Sequence, residues 1–389
     1  MTEKLYDLAP YAEEFTAEVT DVKFEDGKTA IILDRTLFFP LEGGQNSDIG
    51  VLKAEGGKAY PVMNVTIKDD VITHFIDGET EFKPGDKVSG RIDFAHRYDL
   101  MQHHSGEHIF SGITYKKYGY NNVGFHLTED ICTIDVSGPL TADELNELEI
   151  EVNRAIQKNV PIIAAYPEEY ELNHLEYRSK KELKGPIRIV TIEGYDICAC
   201  CAPHVRTTGE VGSFHIVRFE NYKGGVRLFV KCGLRAVKEY QKDREIIEKL
   251  YQTFSTSKDD LVSVVAKLKD EAAALRGKIN ALKTDEIKSK AASFNNTKDS
   301  ICIVEEDIDN NLLREYANAL MEKTEKHVFI MVKTDDAESF RFILASAKED
   351  VTALLNKAKE IFTINGGGRN PQVMGTIKGD KDTIIKYFS

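Results

Sequence analysis

Two residue pairs stand out for the chemistry they can do together: His104-x-x-x-His108 and Cys200-x-x-x-His204. Residues four apart share one face of an α-helix, so the two imidazoles of the first pair can converge on one ion. Thiolate sulfur and imidazole nitrogen are donors that zinc prefers, and four of them complete a tetrahedral shell. The expected cofactor is therefore Zn2+, held by His104, His108, Cys200 and His204. His103 is adjacent but points about 100° away on a helix, so it is left out of the set. The second segment is less determinate, because Cys198, Cys200 and Cys201 all precede His204. Cys200 has the four-residue spacing; Cys198 and Cys201 remain alternatives. A closed four-ligand site is structural and one with a free position is catalytic, and spacing alone leaves both open.

Further residues carry weaker signals. Gln45 follows two glycines in a loop, where a neutral amide can hydrogen-bond a carbonyl or hydroxyl. Ser105 and Glu107 lie between the two helical histidines. Glu107 has the chemistry of a general base, but helix geometry turns it to another face, and a solvated charge is expected. His126 is expected to be a hydrogen-bonded structural histidine. Gly366-Gly367-Gly368-Arg369 fits either a plain tight turn or a nest of backbone N–H groups that binds an anion beside a forked guanidinium. Neither a Walker-type phosphate loop nor a dinucleotide fingerprint is present in the sequence.

Composition narrows the class. The chain has 389 residues, 42% hydrophobic and 30% charged, as expected of a globular protein of several domains. No run of about 18 apolar residues suggests a membrane span. The first residues, Met1-Thr2-Glu3-Lys4-Leu5-Tyr6, lack the apolar core of a signal peptide, so a cytoplasmic location is expected. Three of the six cysteines fall within four positions, a spacing that suits metal or reactive thiol chemistry better than a disulfide framework. The net charge of −13 argues against indiscriminate nucleic-acid binding. It leaves room for a local basic patch, for which Arg178-Ser179-Lys180-Lys181, Lys184 and Arg188 are the candidates.

The elements that must position these residues read as an α+β chain in four parts. Residues 1–92 are β-rich, with Val62–Ile67 and Val71–Phe75 flanking the turn Lys68-Asp69-Asp70, and suggest a small β-barrel. Residues 93–235 form an α/β domain holding the metal ligands. It contains a helix over Arg97–Gly112, a capping box at Thr141-Ala142-Asp143-Glu144 and a strand over Ile187–Ile192. Residues 236–295 form a helical coiled-coil segment, with a heptad seam at Leu261, Val265, Leu268, Ala272, Leu275, Ile279 and Leu282. A spacer and a homodimer contact both fit that seam. Residues 296–389 form a C-terminal α/β domain that carries the Gly-Gly-Gly-Arg motif and ends in a helix near Lys381–Phe388.

The segments resemble a known family. Asp34 to Pro40 followed by Gly43-Gly44-Gln45-Asn46-Ser47-Asp48-Ile49-Gly50 is similar to the Gln-x-Ser-Asp-x-Gly loop of AlaX-like trans-editing proteins, relatives of the editing half of alanyl-tRNA synthetase. Arg97 to His108 is similar to that family's His-x-x-x-His helix. Cys200 to Val205 with Thr208-Gly209-Glu210-Val211-Gly212 is similar to its Cys-x-x-x-His-Val segment. The coiled segment and the tail, with Gly366 to Arg369, resemble the long form. The chain departs from the pattern at Cys201-Ala202-Pro203, at Glu42 and at Ser105, all near the expected pocket floor. The resemblance implies a deacylase that removes serine or glycine wrongly attached to tRNA(Ala). It also implies that Gln45 and Ser105 line the amino-acid pocket, while the tail, through Gly366, Gly367, Gly368 and Arg369, and the coil grip the tRNA. The rival expectation is a zinc-stabilised tRNA-binding module without turnover.

Overall fold

The computed structural model describes residues 1–179, 186–334, 336 and 338–389. Of the basic-patch candidates, Lys180, Lys181 and Lys184 lie outside the described residues. The chain divides into two compact units, Met1–Lys249 and Leu250–Ser389, and is of mixed α+β character.

The first unit opens on a seven-stranded antiparallel sheet. Its order is Ala59–Val62, Gly50–Ala54, Lys87–Ile92, Glu14–Glu25, Lys28–Leu33, Val71–Asp77, Asn64–Lys68. The strand Glu14–Glu25 organises it: Glu14–Glu18 pair with Lys87–Arg91, and Val19–Glu25 pair with Lys28–Leu33. Phe15, Ala17 and Val19 alternate inward along it, against Ile31, Leu33, Phe38, Leu52 and Val88. The expected hairpin turn at Asp69-Asp70 is present, with both residues left-handed (φ 50° and 58°), as a two-residue turn of this kind requires. The barrel is not closed by a ladder: among the described residues no pairing joins Ala59–Val62 to Asn64–Lys68.

The helix that carries the histidine pair runs from Phe94 to Tyr118, longer at both ends than expected. Asp93 caps it by accepting from the His96 amide, and Gly119 ends it in the left-handed region. Leu100, Met101, Ile109, Phe110 and Ile113 bury one side in the core. There they meet the sheet Asn122–Leu127, Cys132–Val136, Gly225–Cys232, Phe214–Tyr222, and the helix Ala142–Lys158 with its Thr141–Glu144 capping box. A three-stranded antiparallel sheet, Ile162–Ala165, Ile189–Ile192 and Asp196–Ala199, delivers the cysteine segment from its edge strand.

In the second unit the helix Leu261–Ser293 buries Ile287 and Ala291 against a five-stranded sheet and its helices. Val265, Leu268, Leu275, Ile279 and Leu282 of the heptad stripe are exposed. The sheet order is Ile301–Glu305, Val328–Lys333, Ser339–Ala345, Gln372–Lys378, Thr363–Arg369, and the final helix spans Lys381–Phe388. Gly366-Gly367-Gly368-Arg369 forms neither a tight turn nor an anion nest. It is extended, as part of the edge strand Thr363–Arg369, and pairs residue for residue with Gln372–Gly375. Without side chains, Gly366 and Gly375 let the two backbones approach closely.

Candidate metal centre

The helix, the cysteine segment and the glutamine loop meet at one point. The Gln45 loop is tied down from both sides. The buried Arg97 guanidinium forks Asp48 (Nε to Oδ1, 2.8 Å) and donates to the Leu37 and Pro10 carbonyls, while Asp48 also accepts from the Phe39 amide. On the other side, the Leu127 amide donates to the Gly44 carbonyl and the Asn46 amide to the Leu127 carbonyl. Gly44 has φ +87° and its α-carbon lies against the Phe125 carbonyl, where a side chain would not fit. Gln45 is thereby held fully buried.

The donor atoms of His104, His108, Cys200 and His204 all lie within 4.8 Å of one another. Cys200 Sγ is 3.5 Å from His104 Nε2 and 3.4 Å from His204 Nε2. Zinc bonds of about 2.1 Å to nitrogen and about 2.3 Å to sulfur place tetrahedral neighbours about 3.6 Å apart. The three Nδ1 atoms are engaged elsewhere: His104 with Gln45 Oε1 (2.7 Å), His108 with Asp196 Oδ2 (2.9 Å) and His204 with Ser105 Oγ (3.0 Å). Each partner can accept an Nδ1–H, which leaves every Nε2 facing Cys200 as the nitrogen open to a metal. These residues fit a zinc ion as one soft sulfur and three imidazoles with their outer nitrogens already satisfied.

Charge is distributed to match. Burial pushes the Cys200 thiol up, but the adjacent His104 and His204 imidazoles outweigh it and hold the group well below its ordinary value. Burial pushes His204 down to about 3. Burial also disfavours a charged His108, yet the Asp196 carboxylate and Cys200 raise it well above its ordinary value. Asp196, despite its own desolvation, stays low because His108 and Arg178 both donate to it.

Cys200 is thus the cysteine brought to the quartet. Cys198 is buried beside His108 and Asp196, in a second group of donors, while Cys201 hydrogen-bonds Glu42. His103 turns away as expected, its Nδ1 near the Asp99 carbonyl and its Nε2 accepting from the Cys232 amide. Ser105 is fully buried behind His204, its oxygen also accepting from the Val205 amide, so its hydroxyl supports a ligand rather than facing an open pocket. Glu107 is not a solvated charge. It is 2% exposed, accepts from Ser111 Oγ (2.6 Å) and Asn122 Nδ2, and lies 3.8 Å from His108 Nε2. His126 is exposed on its strand, contrary to the structural role expected. Arg178 and Arg188 turn inward instead of forming a basic surface: Arg178 forks Asp196, and Arg188 donates to the Cys200 and Ala202 carbonyls. Gly366 to Arg369 belong to the other unit.

Two contributors escaped the sequence reading, Asp196 and Phe125, whose ring centroid is 4.8 Å from that of His104, and Arg178 was expected in a basic patch instead. The one available signal was an acid four residues before Cys200.

Similarity to known proteins follows the same segments. Residues 187–229 match the family described as threonyl and alanyl tRNA synthetase second additional domain, and residues 6–96 match class II (A) tRNA synthetases. An alanyl-tRNA editing protein, AlaX-L, from Pyrococcus horikoshii is 35% identical over 246 residues, 61% of this chain and 59% of that protein. Alanine–tRNA ligases from Pyrococcus abyssi (30% identity, 97% of this chain, 42% of the ligase) and Ignicoccus hospitalis (34%, 69% and 30%) match as well. The chain therefore spans about six-tenths of the first relative and less than half of the ligases. With the loop, the helix and the cysteine segment in place, the chain belongs to the AlaX-like relatives of alanyl-tRNA synthetase.

Proposed function

We propose that the chain is a zinc-dependent trans-editing deacylase that hydrolyses the ester joining serine or glycine to the terminal adenosine of tRNA(Ala). One observation carries this reading: three imidazole Nε2 atoms and the Cys200 sulfur converge beside a buried amide, Gln45, whose Nε2 has no hydrogen-bond partner among the described residues. A buried donor left unpaired costs about 1–3 kcal/mol, which a ligand carbonyl or hydroxyl would recover. A zinc ion in the quartet would supply Lewis-acid polarisation.

The chain's own residues do the rest. His104 Nδ1 holds the Gln45 oxygen, so the amide nitrogen is the end presented to the substrate, where it donates to the ester carbonyl or the serine hydroxyl. Ser105 holds His204 in position. The half-buried Phe125 ring packs against the His104 imidazole on that side. Serine and glycine are the expected errors because a binding pocket rejects small isosteres by only about 10- to 200-fold, and hydrolysis after charging removes what binding admits. In the same reading Arg369 and the glycine strand of the tail contact the tRNA backbone, and the exposed stripe of the Leu261–Ser293 helix serves as spacer or as a contact between two copies.

The test is release of amino acid from tRNA(Ala) charged with serine, glycine or alanine. Fast release of serine or glycine with alanine spared supports the proposal. A folded, zinc-loaded protein that releases none of the three overturns it in favour of a tRNA-binding module.

A further inference from the structure

Of the three outer contacts that orient the histidines, two are neutral and one is charged. Gln45 and Ser105 offer an amide and a hydroxyl oxygen, while His108 meets the carboxylate of Asp196, whose side chain is 2% exposed. That carboxylate is gripped from behind: Arg178 Nε donates to Oδ1 and a terminal guanidinium nitrogen to Oδ2, both at 2.8 Å. Arg178 is itself set by its backbone, whose amide donates to the Ile197 carbonyl and whose carbonyl accepts from the Ala199 amide. The strand Asp196–Ala199 therefore has two ends of consequence. Its first residue orients His108, and the residue after its last is Cys200. How closely this strand lies on the histidine helix is decided at Gly112, one turn beyond His108. A Cβ there would sit 2.7 Å from Asp196 Cβ and would also strike the Tyr195 carbonyl.

We propose that Asp196, clamped by Arg178 and admitted by Gly112, is a positioning residue that sets the metal affinity of the quartet. It does so by fixing His108 as the tautomer with Nε2 free. The proposal rests on the metal-centre reading above. A carboxylate accepting Nδ1–H raises the donor strength of Nε2 more than a neutral acceptor does. The bidentate guanidinium prevents the carboxylate from rotating away or turning to the metal itself. His108 is thus the one histidine of the three whose outer partner is charged, and the Arg178–Asp196–His108 series sets its basicity and direction.

The experiment is chelator competition for Zn2+ with the full chain, in wild type, Asp196→Asn, the double variant Asp196→Asn with Arg178→Gln, and Gly112→Ala. Metal-free melting temperatures and the visible spectrum of the Co2+-loaded proteins are recorded alongside. The double variant is needed because Asp196→Asn alone leaves the Arg178 charge buried without its partner. Zinc affinity should fall roughly 10- to 100-fold in the Asn variants, with a shifted Co2+ spectrum, and in the same direction for Gly112→Ala. Unchanged affinity and spectrum together with a lowered metal-free melting temperature would overturn the proposal and make Asp196 a scaffold residue. Failure of wild type itself to take up zinc would overturn the metal-centre reading instead.

Discussion

Gln45 and His104 are joined by a 2.7 Å hydrogen bond between Oε1 and Nδ1, although 59 residues separate them. The bond couples the loop of the N-terminal sheet to the histidine helix. It gives each partner a direction: the imidazole presents Nε2 to Cys200, and the amide nitrogen is left buried and, among the described residues, without a partner.

Replacing Gln45 should therefore separate turnover from metal binding. Gln45→Ala removes the donor but leaves four zinc ligands in place. Serine release should fall about 10²- to 10³-fold, the usual loss for one donor that stabilises developing charge. Zinc content, measured on the same preparation, should remain near one per chain. Loss of zinc at wild-type rates of turnover would reverse the assignment.

Two of the clustered cysteines, Cys200 and Cys201, should behave differently from one another. Cys200→Ala removes the sulfur that lies 3.5 Å and 3.4 Å from two imidazoles and should abolish tight zinc binding. Cys201→Ala, whose thiol bonds Glu42, should retain the metal. Zinc analysis of the two purified variants decides the point, and equal loss in both would show that the quartet is wrongly drawn.

Two histidines outside the centre predict an acid limit to stability. Burial pushes His74 and His103 down to about 4. The folded state therefore binds fewer protons than the unfolded chain, whose histidines titrate near 6.5. Stability is full above that value and falls as the pH drops from about 6.5 towards 4, each residue costing on the order of 3 kcal/mol by the lower limit. Denaturant unfolding between pH 7 and pH 4 measures the slope. His74→Phe, though less stable at neutral pH because Thr36 and the Ile31 carbonyl lose a partner, should show a shallower slope. An unchanged slope would contradict the account.

The buried pair Arg97–Asp48 should be the most sensitive point of the glutamine loop. Arg97→Met strands a carboxylate that is fully buried, and should cost about 3–5 kcal/mol in chemical denaturation. A loss under 1 kcal/mol would show that the loop is held by other contacts.

What was legible in the sequence was local. The spacing His104 to His108, the capping box at Thr141, the Asp69-Asp70 turn and the final helix all follow from rules spanning a few residues, and the structure has each of them. What was not legible depends on partners far along the chain. Glu107 looked solvated because Asn122, which completes its hydrogen bonding together with its i+4 neighbour Ser111, lies beyond the helix and is not implied by a helical period. Arg178 looked like part of a basic surface because its acid, Asp196, lies on a strand that packs against it only in the fold. The glycine run suggested a turn, and only the pairing with Gln372–Gly375 shows it extended.

The most direct test of the central claim is serine release from Ser-tRNA(Ala) by the full chain as purified, after chelator treatment, and after zinc is returned, with His108→Ala in parallel. Turnover that disappears with the metal, returns with it, and is absent in the folded variant is the predicted result. Undiminished release by the zinc-free protein would contradict the account.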